Sequence, residues 1–568
     1  MIPTTKKWEI SSFITPEVEN ELQGYPPILR QILFNRGYST HESARQYLKA
    51  EKPPRTSPVD LSGISEAVAR IQKAITKDET IAIYGDYDVD GVTATALLMQ
   101  YLRIQGVTAI GYIPDRFEEG YGLNNDALES LKNDGVSLVI TVDCGIRSID
   151  EANFAHKIGL DLIISDHHHP GNEIPSAIAV IDPKQVNDTY PEKELAGVGL
   201  AYKLIEAFNS HQEHPIIDHR DFLDLVALGT VADLAPLVGE NRYLVRKGLE
   251  YIRKPRRQGI MSLIGVSGLN PRQISATDIG FALGPRLNAA GRLESAQAAL
   301  ELLLTRDVGK AAYLAQELEI RNRERQKITR TIQAQAEEIA TSIDSDPLIL
   351  FAVHPDFNPG VVGLAASRLT DQFYRPSIVG QIGNEFTRAS CRSIHEFHIT
   401  SALDQCSDLM EYYGGHAAAA GFTIRNENLS ELHDRLKVIA VEQLSTTDLR
   451  PTIKADVEIP LSELDPRIIE YLDWLEPTGY GNPQALFCSR DLIVRNSRTV
   501  GKENSHLKMT VSDGWVTYDA IAFRQGQWQE HMPSKIDLMY TFEVNEFRGR
   551  KSLQLNVRDL KPSGMDLV

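Results

Sequence analysis

Apolar and polar positions along the chain fall into zones of different period. Residues 1–60 are polar, interrupted by proline and weakly helical, end in EKPPRTSP, and predict an N-terminal appendage. From about 66 to 185, β-branched apolar runs alternate with helical stretches: TIAIYGDY (80–87), VTAIGYIP (107–114), SLVITVDCG (137–145), DLIISDHHH (161–169) and AIAVIDPK (177–184). Between the first two lies GVTATALLMQYLRIQG, where Leu97, Leu98, Tyr101 and Leu102 share one helical face. This alternation predicts a parallel, doubly wound α/β sheet. A helical region runs to about 300, followed by a long charged helix over 308–343 that has no need to bury every face and is predicted to bridge two domains. An α/β pattern restarts at PLILFAVHPDFNPGVVGLAASRL and runs to about 447. From 448 onward, IKADVEI, LIVRNSRTV, HLKMTVSDG, VTYDAIAF, LMYTFEVNEF and SLQLNVRDL predict a small β barrel or sandwich, of which an OB-fold is one.

Length and composition sharpen this outline. A chain of 568 residues exceeds one ordinary core, and 42% hydrophobic with 24% charged residues is globular composition. No apolar run approaches the roughly 20 residues that span a bilayer, and MIPTTKKWEI has no signal-peptide core, so a cytoplasmic protein is expected. Cys144, Cys391, Cys406 and Cys488 form no CxxC pair, which argues against structural zinc and fits a reducing compartment. A net charge of −18 repels polyanions, so nucleic-acid binding needs local basic patches or bound cations. RKPRR (253–257), RNRERQK (321–327) and FRGRK (547–551) are such patches, although each also reads as a solvated face or turn.

Chemistry enters with YGDYDVDG (84–91), whose Asp86, Asp88, Asp90 and Gly91 match the opening of an EF-hand loop. Position twelve, which needs a bidentate carboxylate, is Leu97, and the run follows a strand rather than a helix, so calcium is excluded. In a parallel sheet all strand ends emerge on one edge, where ligands bind. The first strand delivers Asp86, Asp88 and Asp90, the third Asp143, and the fourth Asp166, His167, His168 and His169. Carboxylates so close repel one another unless cations neutralise them. Mixed Asp and His donors suit manganese, magnesium or zinc better than calcium, and their number suggests two ions, the usual device for phosphoester hydrolysis.

DYDVDG, VDCG, SDHHHP and GTVADLAPL (229–237), in this order, resemble the motifs of the DHH phosphoesterase superfamily, and most closely the RecJ single-stranded-DNA exonucleases. GPRLNAAGR (284–292), CRSI with Arg392 and Ser393, GGHAAAAGF (414–422) and EPTGYGNPQALF (476–487) extend the resemblance to nearly all of the chain beyond residue 60. It implies a DHH catalytic domain over 61–307, the connecting helix over 308–343, a DHH-associated substrate-binding domain over 344–447, also doubly wound, and an OB-like domain over 448–568.

Carried over by position, the resemblance makes Asp86, Asp88, Asp90, Asp143, His167 and Asp233 metal ligands for two divalent cations, Mn2+ or Mg2+. Asp143 is the expected bridge, and Asp86 replaces a histidine that many relatives carry where this chain has Tyr84. Asp143 and His168 are the expected catalytic residues, with His168 contacting the scissile phosphate or assisting proton transfer. His169 is expected outside the first ring of ligands, and His354 falls where the family spacing departs. Arg286, Asn288, Arg292, Arg392, Ser393 and His416 are expected to bind substrate. Trp515, Tyr518 and Phe547, with Arg548, Arg550 and Lys551, would extend the nucleic-acid track. The implied activity is 5′ to 3′ exonucleolysis of single-stranded DNA to 5′-mononucleotides in repair and recombination. Single-stranded DNA is the implied partner, together with single-strand-binding protein and other repair proteins, with no membrane and a monomeric state. A phosphodiesterase for small phosphoesters and a non-catalytic DNA-binding scaffold are the alternatives. The extra N-terminal and β-rich segments disfavour the first, and the retained acids, which would weaken polyanion binding, disfavour the second.

Overall fold

The computed structural model describes residues 6–116, 118–342, 346–547 and 549–564, with Phe547 described by its backbone alone. The chain divides into two compact units. One comprises residues 1–285, 300–312 and 452–568, the other 286–299 and 313–451.

The first unit holds the catalytic-type sheet. Its strands are β1 (Thr80–Gly85), β2 (Ala109–Tyr112), β3 (Val136–Val142), β4 (Asp161–Ser165) and β5 (Ala179–Ile181). They are all parallel, in the order β2-β1-β3-β4-β5. The chain leaves β1 for β2 on one side and returns to place β3 on the other, so the switch point lies between the ends of β1 and β3. Buried isoleucines, valines and leucines on both sides of these strands drive the sheet into the interior. Helix Val89–Ile104, expected to be amphipathic, is buried on nearly all sides, because it packs against β1 and two further helices, Gly197–Ser210 and Leu223–Ala232.

In the second unit, β6 (Leu350–His354), β7 (Ser377–Ile382), β8 (Phe386–Arg392), β9 (Met410–His416) and β10 (Ala419–Arg425) lie in the order β9-β10-β8-β7-β6. The α/β pattern expected here is present, and within its sheet only β6 and β7 run parallel, so the sheet is mixed. Its consecutive strands β7–β8 and β9–β10 are joined by short turns, which make antiparallel pairs. The long helix spans Val308–Thr341, starting in the first unit and continuing in the second. Its predicted end at Ile343 lies outside the described residues.

The β-rich segment closes into a barrel. Strands β11 (Phe487–Val500), β12 (His506–Ser512), β13 (Thr517–Ala522), β14 (Lys535–Phe547) and β15 (Arg550–Pro562) follow the order β11-β12-β13-β15-β14, and β11 pairs back onto β14. The first 60 residues, expected as an appendage, share this barrel's core. Leu22, Leu29, Ile32, Leu33, Tyr47 and Leu48 pack in one cluster with Phe487, Trp528, Tyr540 and Leu555, and strand Lys7–Ile10 pairs with Thr452–Ala455. Each buried leucine contributes roughly 1.5–3 kcal/mol, enough to hold the segment down. Among the described residues, no helix is long and apolar enough to cross a membrane.

One side chain bolts the barrel to the catalytic part of the first unit. Arg242, 2% exposed, stacks over Tyr47 and donates to the carbonyls of Tyr47 (2.9 Å), Leu475 (2.9 Å), Pro477 (3.2 Å), Trp474 (3.1 Å) and Glu476 (2.9 Å). Burial pulls its pKa down to about 10, so it stays charged at neutral pH. Replacing it strands several buried carbonyls. Arg242→Met is expected to cost about 3 kcal/mol or more in the first urea unfolding transition, followed by tryptophan fluorescence, and a loss under about 1 kcal/mol would show that the clamp is dispensable.

Candidate metal centre

The run YGDYDVDG serves as a strand end and a helix start. Asp88 is the N-cap of helix Val89–Ile104, and its Oδ1 accepts the N–H groups of Asp90 (2.8 Å) and Gly91 (3.2 Å). This first helical turn folds tightly over Asp86. A Cβ at Gly91 would lie 2.5 Å from the Asp86 backbone nitrogen, so glycine here serves close approach and not a calcium loop.

Asp90 is fully buried, and its carboxylate accepts the N–H groups of Gly197 (2.6 Å) and Val198 (2.9 Å) at the start of helix Gly197–Ser210. Glycine is again required, because a Cβ at Gly197 would stand 2.8 Å from Asp143 Cβ. Asp143 follows β3 with φ of 63°, a left-handed conformation that a non-glycine residue adopts at a cost of roughly 1–3 kcal/mol. His167 and His168 follow β4, and Asp233 caps the C-terminus of helix Leu223–Ala232.

These elements converge. His167 Nε2 lies 2.9 Å from Asp143 Oδ1, 3.8 Å from Asp90 Oδ2 and 3.8 Å from Asp233 Oδ2. The potential ligand atoms form overlapping groups, Asp90–His167–Asp233, Asp86–Asp88–Asp143 and Asp143–His167–His168. Asp143 and His167 are the shared members. Asp86 therefore takes a place among the carboxylates even though Tyr84 replaces the histidine. The Tyr84 ring is buried in the core and its hydroxyl donates to the Gly122 carbonyl (2.9 Å).

The electrostatics demand cations. Burial and the neighbouring Asp88 push Asp86 up to about 8 and Asp90 up to about 7, while burial with Asp90 and Asp88 pushes Asp233 up to about 9. Asp143 is raised well above the carboxylate range by burial and then by Asp90, Asp88, Asp86 and Asp233. Burial lowers His167 to about 3, leaving a neutral imidazole, the form that ligates metals. Asp86 Oδ1, Asp143 Oδ1 and His167 Nε2 are buried without a hydrogen-bond partner among the described residues, as atoms directed at a metal would be. The donor set thus fits divalent cations.

Asp166, which the sequence places at the strand end without a role, orients a neighbour. Its Oδ2 accepts Ile146 N–H (2.9 Å), and its Oδ1 lies 2.8 Å from His168 Nδ1. Burial is the largest single effect and opposes charge on both partners, but their mutual hydrogen bond and the attraction of neighbouring opposite charges together outweigh it, raising His168 and lowering Asp166. Tyr121, which no motif signalled, donates to the Asp143 carbonyl (3.3 Å) and approaches His168 Nδ1 (3.2 Å). His169 is exposed, and its carbonyl accepts from Arg147 Nε (2.8 Å).

Arg286, Asn288, Arg292, Arg392, Ser393 and His416 all belong to the second unit. Arg392 Nη2 and Ser390 Oγ both lie close over Gly363, where a Cβ would meet them at 3.2 and 3.4 Å. Ser390, two residues before Arg392 on β8, shares its face. Ser393 does not, because its hydroxyl donates to the Phe397 carbonyl (2.6 Å). Arg286 Nε pairs with Glu319 (2.7 Å), Arg292 donates to the Gly360 carbonyl (3.4 Å), and His416 is exposed. His354 Nδ1 accepts the Asp356 N–H (3.2 Å), a local turn contact.

The basic runs are largely engaged within the protein. Arg253 donates to the Ile274 carbonyl, Arg256 pairs with Asp221 and Arg257 with Asp224, Arg321 pairs with Glu294, and Lys551 lies 3.9 Å from Glu546. Of the barrel aromatics, Trp515 is 88% exposed, whereas the Tyr518 hydroxyl donates to the Leu464 carbonyl. Arg548 and the Phe547 side chain lie outside the described residues.

Comparison with known proteins agrees with this layout. The chain matches the DHH family N-terminal domain over residues 80–230, the DHHA1 domain over 345–442 and the RecJ OB domain over 455–559. It is 38% identical to the single-stranded-DNA-specific exonuclease RecJ of Bacillus subtilis over 100% of this chain and 72% of that protein. The chain belongs to the RecJ family. RecJ of Escherichia coli is 35% identical, over 94% of this chain and 96% of its own length. The crystal structure of Thermus thermophilus RecJ in complex with Mn2+ superposes with a TM-score of 0.85 at 28% identity, covering 98% of this chain and 79% of that one. The RecJ family thus accounts for both α/β regions and the barrel.

The raised carboxyl pKa values have a measurable consequence. A folded-state pKa above the unfolded value of about 4 means that protonation favours the fold, so this stabilisation is full below pH 4 and lost as pH rises through about 7 to 9. Bound cations replace the protons. The rise in melting temperature caused by Mn2+ is expected to grow from pH 6 to pH 9 in calorimetric scans, and in Asp143→Asn it is expected to shrink at every pH.

Proposed function

We propose that this chain is a metal-dependent exonuclease acting on single-stranded DNA. Membership of the RecJ family carries the substrate class, and the observation that carries the chemistry is the set of three ligand groups at the sheet's switch point, linked to one another through Asp143 and His167. Two divalent cations, Mn2+ or Mg2+, held by Asp86, Asp88, Asp90, Asp143, His167 and Asp233, supply the positive charge that hydrolysis of a phosphodiester requires. Relatives solved with Mn2+ and Mg2+ support that choice.

The protein's own groups do the rest. Asp143, its backbone in the left-handed region, aims a carboxylate oxygen between the ligand groups. Asp166 fixes the His168 ring through Nδ1, which leaves Nε2 as the atom that meets the phosphate or passes a proton. In the second unit, Arg392 with Ser390 over Gly363, and Arg286, Asn288, Arg292 and His416, are phosphate and nucleotide contacts in this reading. Ser393 shapes the turn that follows β8.

Family membership supports a reading of polarity and setting as well. We assign 5′ to 3′ removal of 5′-mononucleotides in DNA repair and recombination, by a monomer that meets single-strand-binding protein on its substrate. Cytoplasmic residence is supported by four buried free thiols.

Incubation with Mn2+ and end-labelled oligonucleotides tests the reading. A 5′ label is expected in mononucleotide from the first time points, while a 3′ label stays on progressively shorter strands. Asp143→Ala is expected to fall below about 1% of the wild-type rate. Full activity in that variant, or release of the 3′ label first, would overturn the assignment.

A further inference from the structure

The turn 476–483 (EPTGYGNP) sits against the Asp233 loop and presents Tyr480 at its tip. Gly479 N–H donates to the Asn482 carbonyl (2.8 Å) and Asn482 N–H to that of Gly479 (3.1 Å), which makes a tight hairpin. Asn482, 2% exposed, anchors it by donating to the carbonyls of Leu475 (3.0 Å) and Pro477 (2.6 Å) and accepting from the Tyr47 hydroxyl (2.7 Å). The Tyr480 carbonyl accepts the Leu237 N–H (2.8 Å). Gly481, at φ of 71°, packs so closely that a Cβ would lie 2.9 Å from Pro236 Cβ. The tip is therefore rigid, yet the Tyr480 side chain leaves the residue 64% exposed.

Leu234, directly after the metal-ligand candidate Asp233, has the same character. Its φ is 61° and it is 66% exposed, an apolar side chain held toward solvent by strained backbone. Both residues line a cavity of about 450 Å3 whose inner wall includes Asp233 and His167, with Lys184 beside them paired to Glu194 at 3.1 Å. That volume lies within the roughly 300–1,000 Å3 of small-molecule sites and takes a nucleoside. Folding gains nothing from exposing an aromatic ring and a leucine on rigid backbone at this edge, whereas a nucleobase offers a flat apolar face that both can cover.

We propose that Tyr480 and Leu234 form a nucleobase subsite on the rim of the metal centre, with Tyr480 stacking on a base adjacent to the scissile phosphate. The proposal rests on the reading of the chain as a single-strand exonuclease. Tyr480 acts as a positioning residue, gripping the strand so that the phosphate beside the gripped base lies over Asp143 and His167.

The test uses full-length protein with Mn2+ and oligonucleotides carrying one abasic residue at successive positions from the 5′ end. Tyr480→Ala keeps the backbone contact to Leu237 and is expected to raise KM about fivefold or more with a smaller change in kcat. Tyr480→Phe and Tyr480→Trp are expected to retain the wild-type KM. At one abasic position the wild type is expected to slow, while Tyr480→Ala shows no further loss there. The Mn2+-induced shift in melting temperature should be the same in all four proteins. An unchanged KM in Tyr480→Ala, or an abasic penalty equal in wild type and variant at every position, overturns the subsite while leaving the exonuclease reading intact. Absence of any strand degradation by the wild type overturns both.

Discussion

Four carboxylates in reach of one another, each largely buried, repel. In water such a group of charges would spread apart; here β1, the helix Val89–Ile104, β3 and the helix ending at Ala232 hold Asp86, Asp90, Asp143 and Asp233 together. Protonation relieves the repulsion in the absence of metal, and divalent cations relieve it when they bind. Much of the surrounding structure serves this tension. Glycines at 91 and 197 allow backbone to close in, amide groups at the start of helix Gly197–Ser210 partly neutralise Asp90, and the left-handed turn at Asp143 aims its side chain into the centre.

Much of this is legible in the sequence because strand ends in a parallel sheet are set by local pattern. The runs ending at Asp86, Asp143 and Asp166 are strongly β-branched, so their acids fall on one edge without any knowledge of packing. Asp233 is legible only through family resemblance, since it ends a buried helix. Tyr121 and Lys184 carry no signal, because a loop residue reaches a site by tertiary course alone. The buried role of the first 60 residues is hidden for a related reason. Their apolar positions are sparse and look weak until the barrel supplies the other half of the core.

A negatively charged protein that handles a polyanion has to localise attraction. The basic runs that stand out in the sequence are largely spent on internal carboxylates, so charge alone directs attention to the wrong segments. The clustered ligand groups would localise positive charge once cations bind, and Arg392 has no carboxylate among its described contacts. Leu234 and Tyr480 beside the centre, and Trp515 on the barrel, are by contrast uncharged apolar and aromatic groups left exposed.

The shared core of the N-terminal helices and the barrel also has a consequence for synthesis. Lys7–Ile10 pairs with Thr452–Ala455, so this strand meets its partner only after roughly 450 further residues are made, some tens of seconds at about 5–20 residues per second. During that interval Leu22, Leu29 and Leu33 have no barrel to cover them. The apolar face of these helices therefore waits on a contact about as distant in sequence as the chain offers, and the barrel cannot close its core without them.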